Sequence, residues 1–188
     1  MLSASSTIEP RDLTVGLAQA RRLRHERYSQ VLGWMPSSNP AEDLRDAAGW
    51  VLVATDKAKP VGTIRLTPVC DQPELEMRAL GLLPTWAEDD PTLCEASRLA
   101  VSPEGSGVEV MSSAATWLLE NTHMRRYIAY CRTRVLPAML RIGARAVSAP
   151  TQIDARPGAD FVVILGTLAT VAQVSGKGIH PIRMDLVS

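Results

Sequence analysis

The sequence predicts an α/β fold in which helices cover both faces of one mixed sheet. Three observations support this prediction: a helical hydrophobic pattern near the N-terminus, two neighbouring β-branched stretches in the middle of the chain, and helical and strand patterns that alternate after them. The 188 residues suffice for one substantial core. We therefore expect a single domain over residues 1–188.

The first half of the chain predicts a helix followed by a meander of strands. Apolar residues at steps of three or four, separated by Arg and Glu, predict a helix over 11–32. Two prolines and several small polar residues predict a loop with one helical turn over 35–48. The β-branched stretches at 49–56 and 60–68 predict an antiparallel hairpin, and 93–101 predicts a third strand.

The second half predicts alternating helices and strands. A helix is expected over 108–121, a strand over 126–131, and a helix over 136–143 that accommodates Pro137 in its first turn. Further strands are expected toward the C-terminus. The glycine-containing loop at 102–107 precedes a helix N-terminus, which can bind phosphate, but its acidic neighbours favour a plain turn.

Composition and charge exclude several classes of protein. Twenty basic and twenty acidic side chains give a formal charge of zero, so no broad field attracts nucleic acid or an anionic membrane. The three cysteines are far apart and form no close pair with a histidine, which indicates a reducing compartment rather than a disulfide framework or a zinc site. We find neither a secretory signal pattern nor about 20 consecutive apolar residues. We expect a cytoplasmic protein without a metal, a membrane span or a nucleic-acid partner.

The end of the first predicted helix brings candidate side chains together. Arg24 and Tyr28 are four residues apart and share one helix face. Trp34 follows Gly33, the residue that would end the helix. This spacing fits either core packing or the wall of a pocket.

Charged residues also occur where a core is expected. Asp43 and Asp46 are three residues apart, so one helical turn brings both carboxylates to the same side. In the third predicted strand, strict alternation puts Glu95 and Leu99 on one face and Arg98 on the other. Singly these residues fit capping or solvated positions, but if they converge they must form a mutually satisfied ion network. The members of such a network would be Arg24, Asp43, Asp46, Arg65, Glu95 and Arg98.

The order and spacing of these residues resemble the acyl-homoserine-lactone synthases, the enzymes that make autoinducers for bacterial quorum sensing. Four patterns carry the resemblance: an arginine followed by an aromatic residue and a Gly-Trp pair, an Asp-x-x-Asp, a Gly-x-x-Arg strand and a Glu-x-Ser-Arg strand. The similar region runs from residue 23 to residue 101, and the predicted helix at 136–143 is similar to a late helix of that family. The matching residues are Arg24, Tyr28, Gly33, Trp34, Asp43, Asp46, Gly62, Arg65, Glu95, Ser97 and Arg98.

The resemblance implies an acetyltransferase-like (GNAT-like) fold, with a mostly antiparallel sheet that is splayed between its fourth and fifth strands. It implies transfer of an acyl chain from an acyl-carrier-protein thioester, or from acyl-CoA, to the amine of S-adenosylmethionine (SAM). Lactone closure would then release methylthioadenosine (MTA). SAM would be a co-substrate, and we expect no permanently bound cofactor.

The resemblance also implies roles for individual residues. The catalytic group would comprise Glu95, Ser97 and Arg98, with Glu95 taking the amine proton directly or through a water. The acceptor pocket and its supporting ion network would comprise Arg24, Tyr28, Trp34, Asp43, Asp46, Arg65, Leu99 and Val101. The acyl tunnel would be lined by residues such as Leu118, Val135, Met139 and Leu140. Docking of an acidic carrier protein would use Arg132, Arg134, Arg141 and Arg145.

Three positions depart from that family's pattern. Tyr28 stands where Phe is usual, Cys94 where Trp is usual, and Leu99 where Phe is usual. The N-acyl amino acid synthases, which acylate free amino acids, also carry a Ser-Arg-Leu type of strand. The first alternative is therefore an acyltransferase with an amino-acid acceptor or a CoA donor. The second is a non-catalytic acyl-binding module, although a binder has no evident need for Glu95.

Overall fold

The structure, a computed structural model, describes residues 10–31, 44–56, 59–154, 156, 158–174 and 183–187. The helices are α1 (Pro10–His25), α2 (Glu76–Ala79), α3 (Gly107–Asn121), α4 (Leu136–Arg141) and α5 (Leu168–Gln173). The strands are β1 (Trp50–Asp56), β2 (Lys59–Pro68), β3 (Leu93–Val101), β4 (Arg126–Arg132), β5 (Arg145–Ala146), β6 (Thr151–Gln152), β7 (Asp160–Thr167) and β8 (Arg183–Leu186). A π-helical turn at Glu26–Val31 extends α1, and 3₁₀ helices occur at Leu44–Ala48, Thr85–Asp89 and Thr133–Val135.

The strands form one sheet in the order β5-β7-β4-β3-β2-β1-β8, and β6 also pairs with β7. Among the described strands, every neighbouring pair is antiparallel except β3 with β4. This parallel pair is connected through α3, because parallel strands need a long crossover connection. The prediction of a mixed, mostly antiparallel sheet flanked by helices is confirmed.

The parallel strands β3 and β4 pair only at their beginnings. Residues 93–95 lie opposite residues 126–128, and the two strands, described over their full lengths, form no further pairs. Beyond this point β3 stays with β2, whereas β4 pairs with β7 along its whole length. The sheet therefore opens in a splay between β3 and β4, the third and fourth of the described strands, where the resemblance implied the fourth and fifth.

The two faces of the sheet carry different clusters of apolar side chains. A large core lies under α3, α4 and α5, where Leu118 and Met139 pack with strand residues such as Ile164. On the opposite face, α1 packs over β1, and the segment that contains α2 packs over β3, β4 and β7. On this second face, beside the splay, Arg24 of α1 and Glu76 of α2 are connected through Asp46 and Arg65.

A bulge in β3 decides which side chains reach this second face. The register between β2 and β3 shifts by one residue near Arg98, which has a φ of 56°. Beyond the bulge, Leu99 packs against the large core, while Arg98 contacts Glu76 on the opposite face. The predicted alternation, with Leu99 on the face of Glu95 and Arg98 on the other, is wrong because a bulge inserts an extra residue into the strand.

Most of the predicted elements are present where the sequence places them. The hairpin, the third strand and the helix after the glycine-containing loop agree with prediction to within one residue. The predictions missed α2, which is only one turn long, and α5, which follows β7 directly. None of the helices in the described ranges is long and apolar enough to cross a membrane.

Gly105 lies against the main chain of β2, where a side chain has no room. A Cβ atom at this position would lie 2.3 Å from the carbonyl oxygen of Val61. We expect Gly105→Ala to lower the free energy of unfolding by about 1–3 kcal/mol, measured by urea denaturation, because the backbone must shift. The matched control is Gly107→Ala, whose Cβ would make ordinary contacts of 3.7 and 3.8 Å and should change stability by less than about 0.5 kcal/mol. Equal stability of the two variants would contradict this close approach.

Candidate active site

A cavity of about 250 Å³ occupies the gap between β3 and β4. One end is polar and lies on the face of α1 and α2, whereas the other end is apolar and reaches the core under α3 and α4. The polar lining residues are Tyr28, Glu76, Ser97, Arg98, Tyr130, Arg132, Arg134 and Arg156. The apolar lining residues are Ile64, Ala96, Leu99, Met111, Ala129, Cys131, Val135, Met139, Phe161 and Ile164.

Glu76 is the carboxylate at the centre of the polar end. Its Oε2 accepts a hydrogen bond from Arg65 Nη2 at 3.1 Å and forms an ion pair with Arg98 Nε at 3.1 Å. Its Oε1 accepts hydrogen bonds from the Tyr130 hydroxyl at 2.7 Å and from Arg156 Nη2. One buried carboxylate thus joins side chains from β2, β3, β4 and the connection between β6 and β7.

Glu95 holds the main chain of α2 in position. Its Oε1 accepts a hydrogen bond from the N–H of Glu76 at 3.3 Å, and its Oε2 accepts one from the N–H of Met77 at 2.8 Å. Leu75 at the N-cap of this one-turn helix supplies no side-chain hydrogen bond, so Glu95 satisfies these N–H groups from the neighbouring strand. The position of the Glu76 carboxylate therefore depends on Glu95.

Asp46 forms a second anionic centre behind the cavity. Its Oδ1 accepts a hydrogen bond from Arg24 Nη1 at 2.6 Å, and Arg21 Nε lies 3.5 Å from its Oδ2. Arg65 connects the two centres, because its Nη1 lies 3.6 Å from Asp46 Oδ1 and its Nη2 donates to Glu76 Oε2. Its Nε also donates to Ser97 at 3.2 Å. The network runs without interruption from α1 to α2.

Two tyrosines flank the arginines at the cavity wall. The ring centre of Tyr28 lies 6.0 Å from Arg98 Cζ, and that of Tyr130 lies 5.2 Å from Arg156 Cζ. The Tyr28 hydroxyl donates to the carbonyl oxygen of Leu99 at 2.6 Å, which ties the π-helical turn to the bulged part of β3. These cation–π contacts and hydrogen bonds restrict the orientation of both guanidinium groups.

Burial and neighbouring charges together shift the pKa values of the two glutamates in opposite directions. Burial alone would raise the pKa of Glu76, but the surrounding guanidinium groups, led by Arg98 and Arg156, outweigh it and hold this pKa below its usual range. Burial raises the pKa of Glu95, and the charge of Glu76 adds to this increase, against the opposing hydrogen bond from the Met77 N–H. Glu76 is therefore ionised at neutral pH and is a weak base.

Positive charge is in excess around the cavity. Burial lowers the pKa of Arg132, and the neighbouring charges of Arg134 and Arg156 lower it further. Among the described lining residues, four arginines stand against one glutamate, Glu76, whose charge is shared among several guanidinium groups. The electrostatic field in this cavity therefore favours an anionic group.

The predicted site residues occupy different positions relative to the cavity. Glu95 is 1% exposed and lies behind the wall, so the structure does not place the predicted base in contact with the cavity. Val101 packs against the large apolar core, and Trp34 and Asp43 lie outside the described residues. The predicted residues that line the cavity are Tyr28, Ser97, Arg98 and Leu99. Those buried behind it are Arg24, Asp46, Arg65 and Glu95.

Sequence reasoning missed three residues of the polar end: Glu76, Tyr130 and Arg156. They lie outside the motifs and far apart along the chain, and Arg156 follows Glu76 by 80 positions. One signal was available, because Glu76 stands between Leu75 and Met77, both fully buried, where a charged residue needs partners.

Only some of the residues predicted to contact the acyl chain or the carrier protein line the cavity. Val135 and Met139 line the apolar end, whereas Leu118 is fully buried in the core and Leu140 is 48% exposed. Arg132 and Arg134 line the cavity. Arg141 and Arg145 are exposed outside the cavity lining.

No group of three or more His, Cys, Asp or Glu side chains in the described ranges is placed to hold a metal ion.

Comparison with known proteins gives one family match and many structural matches. The model of the N-acyl amino acid synthase FeeM family matches residues 19–165. No curated protein matches the chain.

The fold is shared with acyltransferases of known structure. The CoA-dependent acyl-homoserine lactone synthase BjaI, solved with SAM and isopentyl-CoA, is 19% identical, with a TM-score of 0.66 over 89% of this chain and 82% of that one. TofI, solved with an inhibitor and MTA, is 21% identical, with a TM-score of 0.65 over 89% of this chain and 94% of that one. FeeM itself, an N-acyl amino acid synthase from uncultured soil microbes, is 14% identical, with a TM-score of 0.63 over 82% and 92%.

Proposed function

The chain belongs to the family of the N-acyl amino acid synthase FeeM, and we propose that it transfers an acyl group from a thioester to the α-amine of an amino acid. The observation that carries this proposal is the cavity in the splay, which joins an apolar end to a cationic end. The acyl chain would lie against Ile64, Met111 and Met139. The acceptor would lie at the polar end, beside Glu76 and Arg98.

The arginines would activate the acceptor amine without a dedicated base in the cavity. Attack on a thioester requires the neutral amine, and positive charges nearby lower the pKa of an ammonium group. Glu76 is a weak base, and Glu95 is occupied by two backbone N–H groups. We assign Glu95 the role of positioning α2, and through it Glu76, Arg98 and Arg156.

The edge of β3 that faces the gap would stabilise the oxyanion. Beyond Glu95, the main chain of β3 has no ladder partner in β4, and the bulge at Arg98 changes the direction of its peptide groups. N–H groups near Leu99 would bind the negative oxygen of the tetrahedral intermediate. Its collapse forms the amide, breaks the C–S bond and releases the thiol, which carries away the proton lost by the amine.

SAM is the second candidate acceptor, with a lactone autoinducer of quorum sensing as product. The motif order from Arg24 to Arg98 supports it, as do the acyl-homoserine lactone synthases of similar fold that were solved with SAM or MTA. Charge favours the amino acid, because SAM carries a sulfonium group that would add positive charge beside four arginines. A free amino acid adds no such charge.

The identity of the products distinguishes these reactions. The protein is incubated with acyl-CoA and acyl-carrier thioesters of several chain lengths, the common amino acids and SAM, and mass spectrometry follows free thiol, acyl products and MTA. We expect thiol release matched by an N-acyl amino acid, without MTA. Equal amounts of MTA and acyl lactone would instead identify SAM as the acceptor. Acyl-ligand binding without thiol release would identify a non-catalytic binding module.

Arg134, which lines the cavity, and the exposed Arg141 and Arg145 would receive an acidic acyl carrier protein. We expect Arg141→Glu to raise the KM for a carrier-bound donor by about 10-fold, and that for the matching acyl-CoA by less than about 2-fold, because only the carrier presents an acidic surface. The control is Arg78→Glu, which changes an exposed arginine on α2. Initial rates over a range of donor concentrations give the KM for each donor. Equal changes in the two KM values would contradict the docking role.

A further inference from the structure

We infer that Arg98 and Arg156 together bind the carboxylate of the acceptor, and that Arg156 determines the enzyme's preference for acceptors that carry one. This inference rests on the proposed function and adds a subsite to it. Arg98 and Arg156 line the polar end of the cavity and meet at opposite oxygens of Glu76. Glu76 therefore acts as a common anchor that holds both guanidinium groups at the polar end of the cavity.

The geometry of the pair suits a carboxylate better than a cation. Each guanidinium is a planar cation with five N–H donors, and its fork of donors matches the two oxygens of a carboxylate. Tyr28 and Tyr130 lie against the two groups and restrict their orientation. Both arginine side chains are mostly buried, with 16% exposure for Arg98 and 13% for Arg156. A carboxylate bound there would be largely removed from water, where charge-assisted hydrogen bonds are strong.

The subsite has a consequence for the product. Lactone closure would require the carboxylate of SAM to attack its γ-carbon and expel MTA, but a carboxylate that two guanidinium groups neutralise and fix in place is a poor nucleophile. The acyl amide would therefore leave as an open chain with a free carboxylate. Arg156 enters from the connection between β6 and β7, outside the N-terminal motifs.

Ligand binding tests the subsite without requiring turnover. Isothermal titration compares N-decanoylglycine with N-decanoylglycinamide, which differ in the carboxylate alone. We expect the wild-type protein to bind the acid about 10- to 100-fold more tightly, in line with the strength of hydrogen bonds to charged groups. Arg156→Ala should reduce this preference to less than about 3-fold, and Arg156→Lys should restore it in part. The control Arg78→Ala, on the exposed side of α2, should keep the full preference.

The other outcomes overturn the inference. Equal binding of acid and amide by the wild type, or a preference that survives in Arg156→Ala, would show that the carboxylate lies elsewhere. If Arg156→Ala raises the KM for the donor rather than for the acceptor, the anion bound there is a donor phosphate. If neither N-decanoylglycine nor N-decanoylglycinamide binds, both the subsite and the acyl-binding role of the cavity are rejected. If the two ligands bind equally and turnover is normal, only the subsite is rejected.

Discussion

Glu76→Ala should abolish acyl transfer and lower the free energy of unfolding by about 3–5 kcal/mol. The substitution leaves the guanidinium groups of Arg65, Arg98 and Arg156 close together at the cavity without their shared carboxylate. Uncompensated buried charge is expensive, and the arginines that line the cavity would also lose their positions. Urea denaturation at neutral pH measures the stability, and thiol release measures the activity.

Protonation of Glu76 should also lower the free energy of unfolding in acid. The pKa of Glu76 is lowered in the folded state, so its stabilising effect is present above its ordinary pKa near 4.5 and is lost as the pH falls below that value. In Glu76→Gln this part of the pH dependence should disappear. The control for both experiments is Glu88→Ala, because Glu88 is an exposed carboxylate paired with the exposed Arg78 and should contribute less than about 1 kcal/mol. A Glu76→Ala variant as stable as this control would contradict the anchoring role.

Glu95→Gln should reduce kcat/KM by about 10- to 100-fold while the shape of its pH profile stays unchanged. The amide can accept only one of the two backbone hydrogen bonds that Glu95 now accepts, so α2 and Glu76 should shift. Loss of one such bond at a buried site should lower stability by about 1–3 kcal/mol. The control Glu120→Gln, at an exposed position on α3, should change neither kcat/KM nor the free energy of unfolding.

The alternative role of Glu95 has a different result. If Glu95 is the base that deprotonates the amine, Glu95→Gln should remove nearly all activity and eliminate the acid limb of the pH–rate profile. That combination would contradict the positioning role.

The fold could be predicted from the sequence because its elements depend on local patterns. The β-branched hairpin and the strand at residues 93–101 formed as expected. The sequence also identified Arg24, Asp46 and Arg65 as members of an ion network if they converge, and the structure brings them together. These inferences need only the spacing of residue types along the chain.

The active site could not be completed in this way, because its remaining contacts depend on tertiary structure. Strict alternation placed Arg98 on the wrong face, since a one-residue bulge has no clear signal in the sequence around it. Glu76 belongs to a helix of four residues, which is too short to show a hydrophobic period. Its partners Tyr130 and Arg156 come from positions 54 and 80 residues away.

A crystal structure of the protein with a bound N-acyl amino acid tests the proposed reaction site most directly. We expect the acyl chain between β3 and β4, in contact with Met111 and Met139, and the carboxylate within hydrogen-bonding distance of Arg98 and Arg156. The amide would then lie beside Leu99 at the bulge of β3. An acyl chain bound outside the splay, or a carboxylate that points away from both arginines toward solvent, would contradict it.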